Sequence, residues 1–172
     1  MAGLSKSRLK TMDSEKMDRA VASSYILGID TALGTASVAI LRNDELVAYR
    51  KDAILNRQAE CLEPMVKQCL QEAHIGYGKV SGIAVTRGPG SFTGIRIGMA
   101  FALGLRFVYQ MPVWCVDTFD SIACACYEEG LVTGAQEFCI VVPTGGASGG
   151  TFYVQHYTTG LQQKDRPRCE IG

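Results

Sequence analysis

The segment Arg87-Gly-Pro-Gly-Ser-Phe-Thr-Gly-Ile-Arg-Ile-Gly98 constrains this chain more than any other. An apolar run, Gly82-Ile-Ala-Val-Thr86, leads into it, and a run rich in Ala, Leu and Gly, from Gly94 to about Val108, leads out. The pattern is strand, tight glycine loop, helix. Gly88 and Gly90 free the backbone, Pro89 fixes one φ, and Ser91 or Thr93 can cap the helix. Two readings stay open. Such a loop can aim N–H groups at an anion above the helix N-terminus, where the dipole favours negative charge. It can also be a capped turn that serves packing alone.

The general motifs fail one by one. A Walker loop needs Lys after its last glycine, and none follows Gly94. A nucleophile elbow needs Gly two residues before the Ser, where this chain has Pro89. A dinucleotide fingerprint begins correctly at Gly88-Pro-Gly90 but meets Thr93 where its third glycine belongs.

The loop resembles something more specific. Gly88, Pro89, Gly90, Ser91, Phe92, Thr93 and Gly94, continued through Gly98, are similar to the signature of the bacterial TsaB (YeaZ) family. Two further stretches fit in order. Ile26-Leu-Gly-Ile-Asp-Thr-Ala32 with Ala36–Ile40 resembles that family's opening Asp-Thr-Ser hairpin, and Arg57-Gln-Ala-Glu-Cys-Leu-Glu-Pro64 resembles its Arg-His-Ala-Glu helix start, with Gln58 for the usual His. The resemblance runs from about Tyr25 to Ala125.

Hydrophobic spacing gives an element order. Strands are expected at Tyr25–Asp30, Thr35–Leu41 and Leu46–Lys51, joined tightly as an antiparallel meander. Ala59, Leu62, Met65, Val66, Cys69, Leu70 and Ala73 repeat at helical spacing over Arg57–His74, with Pro64 inside as a point of kinking or delay. The strand at Gly82–Thr86, the helix of 94–108, a strand at Val113–Val116 and a helix from Thr118 to about Glu128, capped by Thr118 or Asp117, complete the first part. Three strands, helix, strand, helix, strand, helix is the α/β order of an actin-like, Hsp70-like ATPase-type half-domain, with a mostly parallel sheet beside the meander. Strands at Glu137–Pro143 and Thr151–Tyr157 then begin a second half-domain that is expected to be incomplete. The resembled family's Asp-Ala-Arg segment is absent near the glycine-rich stretch 144–150, and the helices that would cover a second sheet are missing. The expected division is a polar leader, 1–24, with Met12 and Met17 as alternative starts; a first subdomain, 25–130; and the start of a second, 131–172.

Charge and cysteine content exclude several classes. Seventeen basic residues balance seventeen acidic ones in 172 residues, and no basic run occurs, so the chain gives no sign of gripping nucleic acid alone. The seven cysteines form no Cys-x-x-Cys pair, and His74 and His156 are the only histidines, so no metal site is expected. Buried free thiols of a reducing cytoplasm are the better reading. No run of 18 apolar residues occurs, so no spanning helix and no membrane partner are expected.

Gly94, Gly98 and Ala102 recur every four residues and make a flat small-residue stripe. It suits close packing on the chain's own sheet or close approach of a partner helix. In the resembled family this helix contributes to a subunit interface, which assigns Gly94, Arg96, Gly98 and Ala102 to a partner surface. The resemblance further implies a non-catalytic binding subunit, with no catalytic residue of its own, in threonylcarbamoylation of the tRNA adenosine next to the anticodon. It would work with a TsaD-like transferase and a TsaE-like ATPase, meet tRNA through the complex, form a homodimer in isolation, and bind no cofactor alone, with ATP or ADP entering in the assembled complex. Asp30 and Thr31 stand where active actin-like ATPases place a first phosphate loop and are read as a nucleotide-site remnant. The alternative is an independent actin-fold ATPase or small-molecule kinase. A peptidase, which the family's glycoprotease label suggests, fits less well: the histidines form no His-x-x-x-His pair, and Ser91 has no nearby His.

Overall fold

The computed structural model describes residues 25–52, 57–132, 137–143, 151–158, 160–163 and 168–171. The expected leader, 1–24, and the glycine-rich stretch 144–150 lie outside them.

The first three strands, β1 (Tyr25–Asp30), β2 (Ala36–Arg42) and β3 (Glu45–Asp52), form the meander. Asn43 (φ 50°) and Asp44 (φ 69°) turn left-handed between β2 and β3, as a two-residue hairpin loop requires. Helix α1 (Gln58–Glu72) follows, then a 3-10 turn at Tyr77–Lys79, strand β4 (Val80–Thr86), helix α2 (Phe92–Tyr109), strand β5 (Val113–Val116) and helix α3 (Thr118–Glu128). The sheet order is β3-β2-β1-β4-β5, with β1, β4 and β5 parallel and the meander antiparallel. This is the expected actin-like α/β half-unit. Pro64 neither kinks nor delays α1 enough to break it: the helix is continuous from Gln58 to Glu72.

Alternation along the strands separates two faces. Leu27, Ile29, Val38, Ile40, Ile83 and Val85 point to one side and are buried under Leu62, Val66 and Cys69 of α1 and Ala102 of α2. Their neighbours Gly28, Asp30, Ser37, Ala39, Ala84 and Thr86 line an open cavity of about 190 Å³ on the other side, together with Val116 and Ser121.

A second sheet, β6 (Glu137–Pro143), β7 (Thr151–Thr158) and β8 (Arg168–Ile171), is antiparallel in the order β6-β7-β8. The strand β8 was not expected in so short and polar a segment. Ile140, Val142 and Tyr157 bury one face of this sheet against Phe119 and Ala123 of α3, while Cys139, Val141 and Phe152 are exposed. Tyr157 is fully buried, and its hydroxyl donates to Asp120 Oδ1 of α3 at 2.7 Å. Burial and that bond push the phenol well above its ordinary range. Gln163 Nε2 donates to the same oxygen at 2.9 Å.

Two expectations need correction. The thiols are not uniformly buried: Cys69 is, whereas Cys115 on β5, the outermost strand, and Cys139, which alternates outward on β6, are exposed. Cys61, Cys69, Cys115, Cys124, Cys126 and Cys139 are all free thiols. The helix α2 has 18 residues and a mean hydropathy of 1.2, enough by length and composition alone to cross a membrane. Its apolar run tolerates Arg96 and Arg106 within that average, and one side of it packs on the sheet.

The Tyr157–Asp120 bond is what a conservative substitution can isolate. Tyr157→Phe keeps the ring and removes the donor, and is expected to lower unfolding free energy by about 1–2 kcal/mol. Urea denaturation should show a lower midpoint at unchanged slope.

Candidate functional site

The glycine loop and the residues after β1 close on one another. Ser91 is the N-cap of α2, accepting from the Gly94 N–H at 3.2 Å. The Ser91 N–H donates to the carbonyl of Ala32 at 2.6 Å. Thr31, fully buried, donates its hydroxyl to the Gly94 carbonyl at 2.7 Å. Asp30 Oδ1 accepts from the Ala32 N–H at 2.9 Å and from the Thr86 hydroxyl at 2.7 Å. Residues 30–32 are thereby tied to both sides of the loop, to the end of β4 and to the first turn of α2.

Glycine is required here by contact and by conformation. Gly88 (φ 106°) and Gly90 (φ 152°) lie in the region that disfavours side chains, and a Cβ on Gly90 would collide with the Ala32 carbonyl. A Cβ on Gly94 would collide with the Thr31 carbonyl, and one on Gly98 with the Thr31 hydroxyl oxygen. The Gly88 carbonyl accepts from Thr118 N–H at 2.9 Å, which joins the loop to α3. Asp117 caps α3 by accepting from Phe119 N–H at 2.9 Å. Burial pushes its carboxyl up, against the opposing pull of that cap bond and of Arg87, 4.0 Å away.

These contacts decide the orientation of the small-residue stripe. Gly94, Gly98 and Ala102 are buried against Thr31, Ile29 and Val85, so they do not form the partner surface expected of them. Of the four residues assigned to that surface, Arg96 alone is exposed, its guanidinium 5.2 Å above the Phe92 ring. The outward side of α2 carries Phe92, Leu103 and Phe107, which the 100° helical step places within about 60° of one another. Phe107 is 81% exposed, and Gly104 beside it faces open space. The second stripe is written in the sequence and is found by placing the large apolar residues, rather than the small ones, on a helical wheel.

The Ser91 and Gly94 N–H groups already have acceptors, Asp30 Oδ1 has two donors, and no cationic side chain lines the cavity beside Asp30. The capped turn read from the sequence is present, with Ser91 as the cap. Among the described residues, no three His, Cys, Asp or Glu side chains gather as metal ligands.

Known proteins agree with this architecture. Residues 55–165 match the family model described as tRNA N6-adenosine threonylcarbamoyltransferase, TsaD. The chain is 34% identical over 103 residues to the tRNA threonylcarbamoyladenosine biosynthesis protein TsaB of Haemophilus influenzae, a match covering 60% of this chain and 43% of that one. Against TsaB of Escherichia coli K12 it is 37% identical over 98 residues, 57% of this chain and 42% of that one. YeaZ from Pseudomonas aeruginosa superposes with a TM-score of 0.74 at 28% identity, over 86% of this chain and 68% of YeaZ. The matched region thus spans less than half the length of these two curated relatives. The family model covers well over half of the chain, which makes it a member of the TsaD-type threonylcarbamoyltransferase family. Within it, the chain belongs to the TsaB (YeaZ) family.

The loop geometry separates its glycines. Gly94→Ala drives a methyl into a buried carbonyl and is expected to cost about 3 kcal/mol or more, in the range of severe strain or overpacking. Gly104→Ala fills open space in a helix and is expected to stabilise by up to about 1 kcal/mol. Thermal melting of the two variants beside the parent checks both signs.

Proposed function

We propose that this chain is a non-catalytic binding subunit in threonylcarbamoylation of the tRNA adenosine next to the anticodon, docking on a TsaD-like transferase through the outer face of α2. The observation that carries the reading is the pairing of a closed loop with an open helix face. The Ser91 and Gly94 N–H groups and Asp30 Oδ1 are bonded within the chain, while Phe92, Leu103 and Phe107 are left in water. An exposed apolar cluster of this kind is ordinary at a partner surface and costly elsewhere. Arg96 over Phe92 adds a cation of the sort that interfaces favour.

The relatives' printed role in threonylcarbamoyladenosine biosynthesis supplies the pathway. With no net charge, the chain meets tRNA through the complex. A TsaE-like ATPase is the third partner, ATP or ADP enters in the assembled complex, and the location is the cytoplasm, where tRNA is modified. Without the transferase, the same face pairs two copies of the chain. An independent ATPase or kinase is the alternative reading, and the bonds that Asp30 Oδ1 and the Gly94 N–H make within the chain weigh against it.

The test is association with the TsaD-like transferase from the same source, measured by calorimetry. Phe107→Asp is expected to weaken the complex by about 2 kcal/mol, roughly thirtyfold, as loss of a central aromatic anchor does. Its melting temperature should stay near that of the parent, because Phe107 is exposed in the free chain. Undiminished affinity in Phe107→Asp would refute the α2 face, and no association of the parent chain would refute the subunit reading.

A further inference from the structure

We infer that Thr31, held in place by Asp30, is the positioning residue for the outer face of α2: it seats the inner side of the helix and so sets the direction in which Phe92, Arg96, Leu103 and Phe107 point. The inference rests on the docking role proposed above and adds to it the residue that prepares the surface.

The argument begins where β1 ends. Asp30 lines the cavity on the face of the sheet away from α1, and Thr31, next along, is buried against α2. The two side chains therefore act on opposite faces from adjacent positions. On its face, Asp30 gathers the Thr86 hydroxyl and the Ala32 N–H, which holds the end of β1 to the end of β4 and curls the chain at 31–32. On the other face, Thr31 meets two successive turns of α2. Its carbonyl oxygen is the nearest atom to the Cβ position of Gly94, its hydroxyl oxygen the nearest to that of Gly98, and the hydroxyl donates to the Gly94 carbonyl.

A helix touched on one side at positions four residues apart is fixed both in height and in rotation, because each residue advances 100°. The Ser91 N–H to Ala32 carbonyl bond fixes the start of the same helix. Phe92 and Arg96 belong to those first turns, on the side away from Thr31. A helix that rocks on this seat would carry its aromatic anchor away from a partner. No contact between Thr31 and the partner is needed for Thr31 to matter to binding.

Thr31→Val keeps the branched shape and removes the hydroxyl; Thr31→Ser keeps the hydroxyl and removes the methyl. Hydrogen exchange by mass spectrometry on the full chain reads the seat directly, comparing peptides over 88–98 with peptides over 58–72 in α1. In Thr31→Val, exchange over 88–98 is expected to rise about tenfold, the scale of one lost hydrogen bond, with 58–72 unchanged. Thr31→Ser is expected to stay within about twofold of the parent, since the donor is retained. Thr86→Val, which unhooks Asp30 without touching α2, should raise exchange in the same peptides by less. If Thr31→Val fails to fold, Thr86→Val still decides.

Unchanged exchange over 88–98 in either valine variant, an equal rise over 58–72, or a serine variant as loose as the valine one would overturn the seat. Affinity for the TsaD-like transferase is the second readout. A loosened Thr31→Val that binds as tightly as the parent would overturn the positioning role, whereas reduced affinity restored in Thr31→Ser supports it. A parent chain that does not associate at all sinks the proposed function alone, because exchange still reports whether Thr31 seats the helix.

Discussion

The approach of α2 to the backbone at Thr31 is the contact on which the rest of the structure depends. Two glycines, Gly94 and Gly98, allow it, since a side chain at either would collide with Thr31. Because the helix sits this low, Ile29 and Val85 bury under it, and the loop before it can reach back to Ala32. The loop in turn holds α3 through the Gly88 carbonyl, and α3 carries the second sheet through Phe119, Ala123 and the Asp120–Tyr157 bond. One close backbone contact is thus followed outward to both ends of the described chain.

The same contact involves Asp30 and Thr31, the residues read from the sequence as a nucleotide-site remnant. In the described arrangement, Asp30 and Thr31 bond within the chain, one to β4 and the curl at Ala32, the other to α2. A polyanion drawing on these same atoms would have to displace those bonds.

Much of this was legible in the sequence because it depends on local pattern. The meander, α1, β4, α2, β5 and α3 follow from apolar spacing and turn residues; for the caps the sequence offers Ser91 or Thr93 and Thr118 or Asp117, and the structure uses Ser91 and Asp117. The direction of the Gly94-Gly98-Ala102 stripe was not legible. A stripe of small residues says that something comes close, not whether it is the chain's own sheet or another molecule. The Thr31–Gly94 bond joins residues 63 positions apart, which no local window contains. Exposure of Cys115 and Cys139 follows from strand order and strand facing, which composition does not report. The strand β8 has four residues and owes its place to pairing with β7 rather than to its own propensity.

The central claim is that the loop is closed upon the chain itself and that activity therefore lies in docking. Titration of the isolated chain with magnesium and ATP, followed by calorimetry and by phosphate release, tests it most directly. The account predicts no saturable heat and no release above blank, in the parent and in Asp30→Asn alike. Saturable, magnesium-dependent binding with phosphate release, both lost in a folded Asp30→Asn, would contradict it and restore Asp30 to a working nucleotide site.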